Sequence, residues 1–228
     1  MNLNNDNQWY SRTLMDMDLL GGSADSVTTS CKIRLSRAGG QGLLARMYAS
    51  KGYNLATTMT HKVDESTLVV QVDGAAQGTL TIRFDNGYLA AQENFPEYID
   101  ELRAQGKRLC EFGKLAVDAS VRSKRVLGAM FQLAWLLAFQ IRGATDILAE
   151  VNPTHANFYQ KMLDFERIGD ERNCDRVGAP AVLLLLSAEK GHELQAATKG
   201  RGFYPYFFSA ADRDTLLRQL TRQAQASG

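Results

Sequence analysis

Glu111 sits inside an otherwise apolar run, Leu109-Cys-Glu-Phe-Gly-Lys-Leu-Ala-Val117. An ionised carboxylate is costly in such a strand unless it is paired or used. Two readings follow: a general base, or a carboxylate salt-bridged to Lys114, Arg83 or another cation. Gly113, two residues on, is unusual inside a strand and predicts a bulge where a ligand approaches the backbone. An amide N–H turned outward there can stabilise a developing oxyanion. Arg122, Lys124 and Arg125 gather where a long apolar helix begins, and the free N–H groups and dipole of a helix start favour an anion. They read as a phosphate seat, with a solvated basic turn as the alternative. Tyr159 follows His155 by four residues, on one face of a helix opened by Asn152-Pro153. Its hydroxyl can protonate a leaving group, or its ring can simply fill core. His155 itself reads as a capping or surface residue. His61 and His192 have no partner that spacing identifies, and no metal-ligand cluster is present.

The elements that must hold these residues follow from periodicity. Cys31 to Ser36 alternates apolar and polar residues as a half-buried strand does, and Leu43, Leu44, Met47 and Tyr48 have helical spacing after Gly39-Gly40. Thr67 to Val72 and Gly78 to Phe84 flank Asp73-Gly-Ala-Ala-Gln77 as a hairpin. Helical spacing returns around Tyr98 to Leu102, followed by the strand at 109–117. The run from Val126 to Ile141 predicts a helix apolar on both sides, which must be covered nearly all round. One face packs on sheet; the other, with Trp135 and Phe139, is free to meet an apolar ligand or the segment Phe203 to Phe208. Asp146 to Val151 and Ala181 to Ser187 read as strands, and Ala210 to Gln223 as a charged terminal helix. The fold class expected is α/β, a mixed twisted sheet flanked by helices, with the strands on either side of the long helix parallel.

Composition narrows the classes. The chain has 228 residues, 45% hydrophobic and 22% charged, enough for one substantial core. Residues 29–228 are read as a single domain, and residues 1–28, rich in Asn, Asp, Ser and Gly, as a loose or partner-dependent arm. A net charge of +1 argues against a dedicated nucleic-acid binder. Cys31, Cys110 and Cys174 fit neither a disulfide framework nor a zinc site, which favours a reducing cytoplasm. The start lacks the charged and apolar regions of a secretory signal. The run 126–141 is too short to span a membrane and carries Gln132 and Gln140.

The order of Glu-bearing strand, basic turn, apolar helix, strand and Asn152-Pro-Thr-His-Ala-Asn-Phe-Tyr159 resembles the heart of the GNAT acyltransferase superfamily. That superfamily's coenzyme A loop reads Q/R-x-x-G-x-G/A. Here Arg122-Ser-Lys-Arg125-Val-Leu127 has arginine and leucine in place of the glycines. The chain instead resembles the branch that uses acyl carrier protein: the long-chain N-acyl amino acid synthases and, more distantly, the acyl-homoserine-lactone synthases. The likeness is carried by Arg46-Met-Tyr48 to Tyr53, Asp64, Gly78 to Arg83, Phe95-Pro96, Glu111-Phe-Gly-Lys114 and Phe203-Tyr-Pro-Tyr-Phe-Phe208. It covers roughly residues 30–210. The lactone synthases have a second acidic residue and a tryptophan where Tyr53 stands, so an ordinary amino acid is the expected acceptor.

The resemblance implies transfer of a medium or long acyl group to the amine of an amino acid or similar small primary amine by direct attack. Glu111 would be the base, backbone near Gly113 the oxyanion support, and Tyr159 the partner of the thiolate. Arg122, Lys124 and Arg125 would receive the donor, an acyl-phosphopantetheine on acyl carrier protein or an acyl-coenzyme A. Tyr48, Tyr53, Arg83, Lys114, Trp135 and Phe139 would contact substrates. No tightly bound cofactor is implied. An acetyl-coenzyme A-dependent acetyltransferase and a noncatalytic acyl-sensing domain are the alternatives.

Overall fold

The computed structural model describes residues 12–18, 30–36, 40–53, 64–196 and 202–225. Its strands are β1 (Arg12–Asp18), β2 (Ser30–Ser36), β3 (Asp64–Val72), β4 (Ala75–Phe84), β5 (Leu109–Val117), β6 (Asp146–Val151), β7 (Glu166–Arg167), β8 (Arg172–Cys174) and β9 (Ala179–Ser187). They form one twisted sheet in the order β1-β2-β3-β4-β5-β6-β9-β7, with β8 also on β9. Among these pairings only β5 and β6 run parallel. These are the strands flanking the long helix, as a βαβ crossover requires. Part of the segment read as an arm is therefore sheet: β1 pairs antiparallel with β2. The rest of that arm lies outside the described residues.

The helices are α1 (Gln41–Ala49), α2 (Pro96–Ala104), α3 (Lys124–Trp135), α4 (Pro153–Leu163), α5 (Ala188–Ala196) and α6 (Ala210–Gln225). Helix α3 continues as a turn of π-helix, Leu136–Ile141. Among the described residues no helix is long and apolar enough to cross a membrane. Local chemistry sets the helix starts that matter. The Ser123 hydroxyl accepts the Val126 N–H at α3, and the Asn152 side chain accepts the Thr154 N–H at α4, with Pro153 in the first turn. Asp73 and Gly74, with φ of 50° and 79°, make the two-residue turn between β3 and β4 that right-handed strand twist favours.

Strand β4 divides the molecule by its period of two. Leu80, Ile82 and Phe84 enter the main core with Met130, Phe131 and Leu133 of α3. Thr79, Thr81 and Arg83, also buried, alternate with them. The side of α3 away from the sheet is covered by the C-terminal segment rather than left open. Phe203 stacks on Phe131 at 5.8 Å between ring centres, and the Phe208 N–H donates to the Gln132 side chain. Gly128 lets Tyr206 approach, since a Cβ there would stand 3.0 Å from that residue's own Cβ. Leu216 and Leu220 of α6 join the same core.

Candidate active site

Strands β5 and β6 pair only through Leu109↔Asp146, Cys110↔Ile147 and Glu111↔Leu148, although β5 runs on to Val117 and β6 to Val151. Beyond Glu111 they part. A cavity of about 850 Å³ runs along this opening, lined on β5 from Glu111 to Val117. Six residues of strand rise give it a length of roughly 20 Å. Its volume lies within the usual range for small-molecule sites.

Glu111 stands at the paired end of the opening and is 7% exposed. Its Oε2 accepts the Ala90 N–H at 2.6 Å and the Ala91 N–H at 3.3 Å, from a short 3₁₀ turn, Ala90–Glu93. Arg83 Nη1 lies 3.9 Å away. Burial pushes the carboxyl up from its ordinary value, with the Glu150 charge acting in the same direction and Arg83 opposing. The salt-bridge reading is thus met only in part: Arg83 pairs more closely with Glu65, at 3.0 Å, and Lys114 also turns to Glu65, at 3.1 Å.

This arrangement follows from register. Glu65 of β3 is opposite Arg83 of β4, which is opposite Glu111 of β5. The next row on the same face is Thr67, Thr81 and Gly113, with the two hydroxyls 2.9 Å apart. The bulge expected at Gly113 is there, one residue later in its distortion: Thr81 opposes Gly113 but Thr79 opposes Ala116. Lys114 takes the left-handed φ of 50°, and a Cβ placed on Gly113 meets nothing within 4 Å. Space toward the cavity, rather than an unusual φ, is what the glycine provides.

Tyr159, 4% exposed, lines the cavity from α4 together with His155 and Phe158. Its ring packs against Phe131 and Phe165. Burial drives its hydroxyl well above the usual range, so the phenol keeps its proton. The His155 imidazole is lowered by burial and then by the Lys51 charge. Tyr48 of α1 and Tyr53 just after it also line the cavity, their rings edge to face at 5.8 Å. Arg122 lines the cavity and donates to the Val117 carbonyl at 3.2 Å. Lys124 and Arg125 occupy the exposed first turn of α3 outside the lining, in a turn that holds no acidic residue.

Trp135 and Phe139, expected to contact substrate, are not in the lining of this cavity. They pack edge to face at 5.4 Å, with His192 of α5 against Trp135 at 5.0 Å. The cause is the division made by β4: α3 lies over Leu80 and Ile82, and of its residues only Leu127 reaches the cavity. Asp64 is also elsewhere, paired with Arg142, because one residue along a strand changes face and the acidic residue near the site is Glu65. Sequence reasoning missed Glu150, Cys174 and Arg176, which line the cavity near Glu111. Arg176 pairs with Glu150 and, at 3.1 Å, with Glu93. The signal available was a lone glutamate in the apolar strand Asp146–Val151, the same anomaly that marked Glu111.

A family model described as N-acyl amino acid synthase FeeM matches residues 40–187. The chain belongs to this family. The structure of FeeM, an N-acyl amino acid synthase from uncultured soil microbes, superposes with a TM-score of 0.67 at 21% identity, covering 75% of this chain and 100% of that one. It shows the same fold. The AHL synthase LasI gives 0.46 at 15% identity, covering 72% and 93%. No curated protein sequence matches. The family makes this chain a GNAT-fold N-acyltransferase. The matched span runs from the start of α1 to the end of β9 and contains every residue of the cavity lining.

Proposed function

We propose that this enzyme transfers a medium or long acyl group from acyl carrier protein to the amine of an amino acid or similar small molecule, with Glu111 as general base. The observation that carries the reading is a buried carboxylate of raised pKa, held by two backbone N–H groups where β5 and β6 come together at the end of a long, largely apolar cavity. An amine bound there as ammonium gives a proton to Glu111, and its lone pair attacks the thioester carbonyl carbon. The C–N bond forms, the carbonyl becomes an oxyanion beside the Gly113 backbone, and its collapse breaks the C–S bond. Tyr159, kept protonated by its burial, donates a hydrogen bond to the departing thiolate, which takes up the second ammonium proton as it is lost from the new amide nitrogen and leaves as the thiol. The chain remains free of acyl-enzyme intermediates throughout.

Support for a carrier-protein donor comes from the α3 start. Lys124 and Arg125 stand in an exposed first turn that holds no acidic residue, with Arg122 just before it, where a phosphate and an acidic partner surface gain from both charge and dipole. Leu127 and Arg125 replace the glycines that let coenzyme A pyrophosphate approach in other GNAT proteins. Leu44, Met47, Leu115, Val117 and Phe158 provide apolar lining for the acyl chain. The deciding assay offers the purified enzyme acyl carrier protein and coenzyme A thioesters of equal chain length with mixed amino acids. Amide formation from the carrier-protein donor is expected; turnover confined to acetyl-coenzyme A would overturn the donor assignment.

A further inference from the structure

Lys114 is one of three described non-glycine residues with left-handed φ, and unlike Asp73 and Asp164 it lies within a strand. An L residue holds that conformation only where its surroundings enforce it. The Lys114 side chain is tied to Glu65. Its carbonyl leaves the ladder at the register shift between Thr79 and Thr81 and accepts the Thr79 hydroxyl at 2.9 Å. Thr79 is fully buried and absent from the cavity lining. Its methyl group sits beneath Gly40 at the start of α1, where an added Cβ would come within 2.1 Å of Thr79 Cγ2. The hydroxyl is thereby set in one direction, against the kink, while Gly113, Lys114 and Leu115 line the cavity on the other side.

We propose that Thr79 is a positioning residue for acyl transfer, its hydroxyl fixing the kink in β5 that presents the Gly113–Leu115 backbone to the reacting carbonyl. The inference rests on the function proposed above. The acyl chain is gripped by other side chains, so loosening the kink weakens what is needed when the oxyanion forms and leaves donor binding largely intact. Thr79 also joins the kink to the first turn of α1, whose Leu44, Met47 and Tyr48 line the same cavity.

The test is steady-state kinetics of the full chain with a long-chain acyl carrier protein donor and mixed amino acids. Thr79→Val keeps the shape and removes the hydroxyl. Its kcat is expected to fall on the order of 10²-fold, the scale of an ångström-sized misplacement, with donor KM changed by less than about threefold. Thr79→Ser restores the hydroxyl and should return kcat to within about tenfold of wild type. A valine variant with wild-type kcat, or a rise in KM alone, overturns the proposal. If the valine variant does not fold, the serine variant decides: near wild-type kcat supports the role and a loss as large as 10²-fold overturns it. A wild type inert with every donor and amine removes the proposed function and this inference together. An active wild type that needs Glu111 but not the Thr79 hydroxyl removes this inference alone.

Discussion

Glu111 is the proposed base, and its two roles, as a hydrogen-bond acceptor in the fold and as a base, separate experimentally. As a ligand for the Ala90 N–H it can be replaced by glutamine, whose carbonyl still accepts; as a base it cannot. Glu111→Gln is expected to fold and to lose on the order of 10²-fold or more in kcat, measured at a pH where the acceptor is mostly ammonium. The same substitution has a signature in stability. The folded carboxyl titrates above its ordinary value of 4.5, so the native state binds its proton more tightly than the unfolded chain does. The stability this contributes is complete below that ordinary value and is lost as pH rises through the folded pKa. Glu111→Gln, which cannot ionise, should therefore gain in Tm relative to wild type as pH rises above 4.5 and show little difference in acid. Thermal melts across this range check it. A Tm difference independent of pH would contradict the burial of an ionisable group. In the rate, the rising acid limb of kcat/KM should sit above the ordinary carboxylate range for the same reason.

At the scale of elements, the β5 bulge and the α3 start make separable predictions. Gly113 has open space where a side chain would project and a φ outside the left-handed region. Gly113→Leu should therefore fold with a near wild-type Tm yet lose activity, because its side chain would occupy the cavity beside the reacting carbonyl; a correctly folded and fully active leucine variant would place the donor elsewhere. The α3 start is the opposite case, an exposed surface to which the proposal gives a role through charge. Charge reversal at Arg122 and Arg125 should weaken use of acyl carrier protein, and wild-type turnover should fall as salt rises, since attraction between exposed charges is screened within about 8 Å at physiological ionic strength. Kinetics across a salt series, with a coenzyme A thioester as the comparison donor, distinguish docking from general ionic inhibition.

Over the whole molecule, the proposed place for the acyl chain is the gap between β5 and β6, and the outer side of α3 is covered by protein. Each buried methylene adds about 0.8 kcal/mol, so kcat/KM should climb with donor chain length until the cavity is full. Donors from two carbons to sixteen measure this. Truncating Phe158 should shift the optimum to longer chains, whereas truncating Trp135 or Phe139 should lower stability and leave the optimum in place. The cover on α3 is tied to α4 as well: Phe203 N–H donates to the Met162 carbonyl at 3.0 Å, and Tyr204 Oη donates to the Leu163 carbonyl at 3.0 Å. Gly202 makes this possible with a φ of 62°, where a Cβ would stand 2.2 Å from the Met162 oxygen. Gly202→Ala should cost about 1–3 kcal/mol, read as a lower Tm.

The strand carrying Glu111, the cap at Asn152 and the hairpin at Asp73 are legible in the chain because each depends on neighbours a few residues apart, and the parallel pair follows from the strand–helix–strand order. Periodicity and turn chemistry are local properties, and a carboxylate among apolar residues is conspicuous without coordinates. Three matters were decided only by tertiary structure. An apolar helix covered all round does not say which cover lies where, and the C-terminal segment rather than an acyl chain took the outer side of α3. Asp64 and Glu65 differ by one residue, and only cross-strand register placed Glu65 against Arg83 and Lys114. Arg176 and Glu150, 26 residues apart, meet beside Glu111 because β9 returns antiparallel to β6 and β8 pairs with β9. Such contacts arise from strand pairing across long stretches of chain, and no local spacing encodes them.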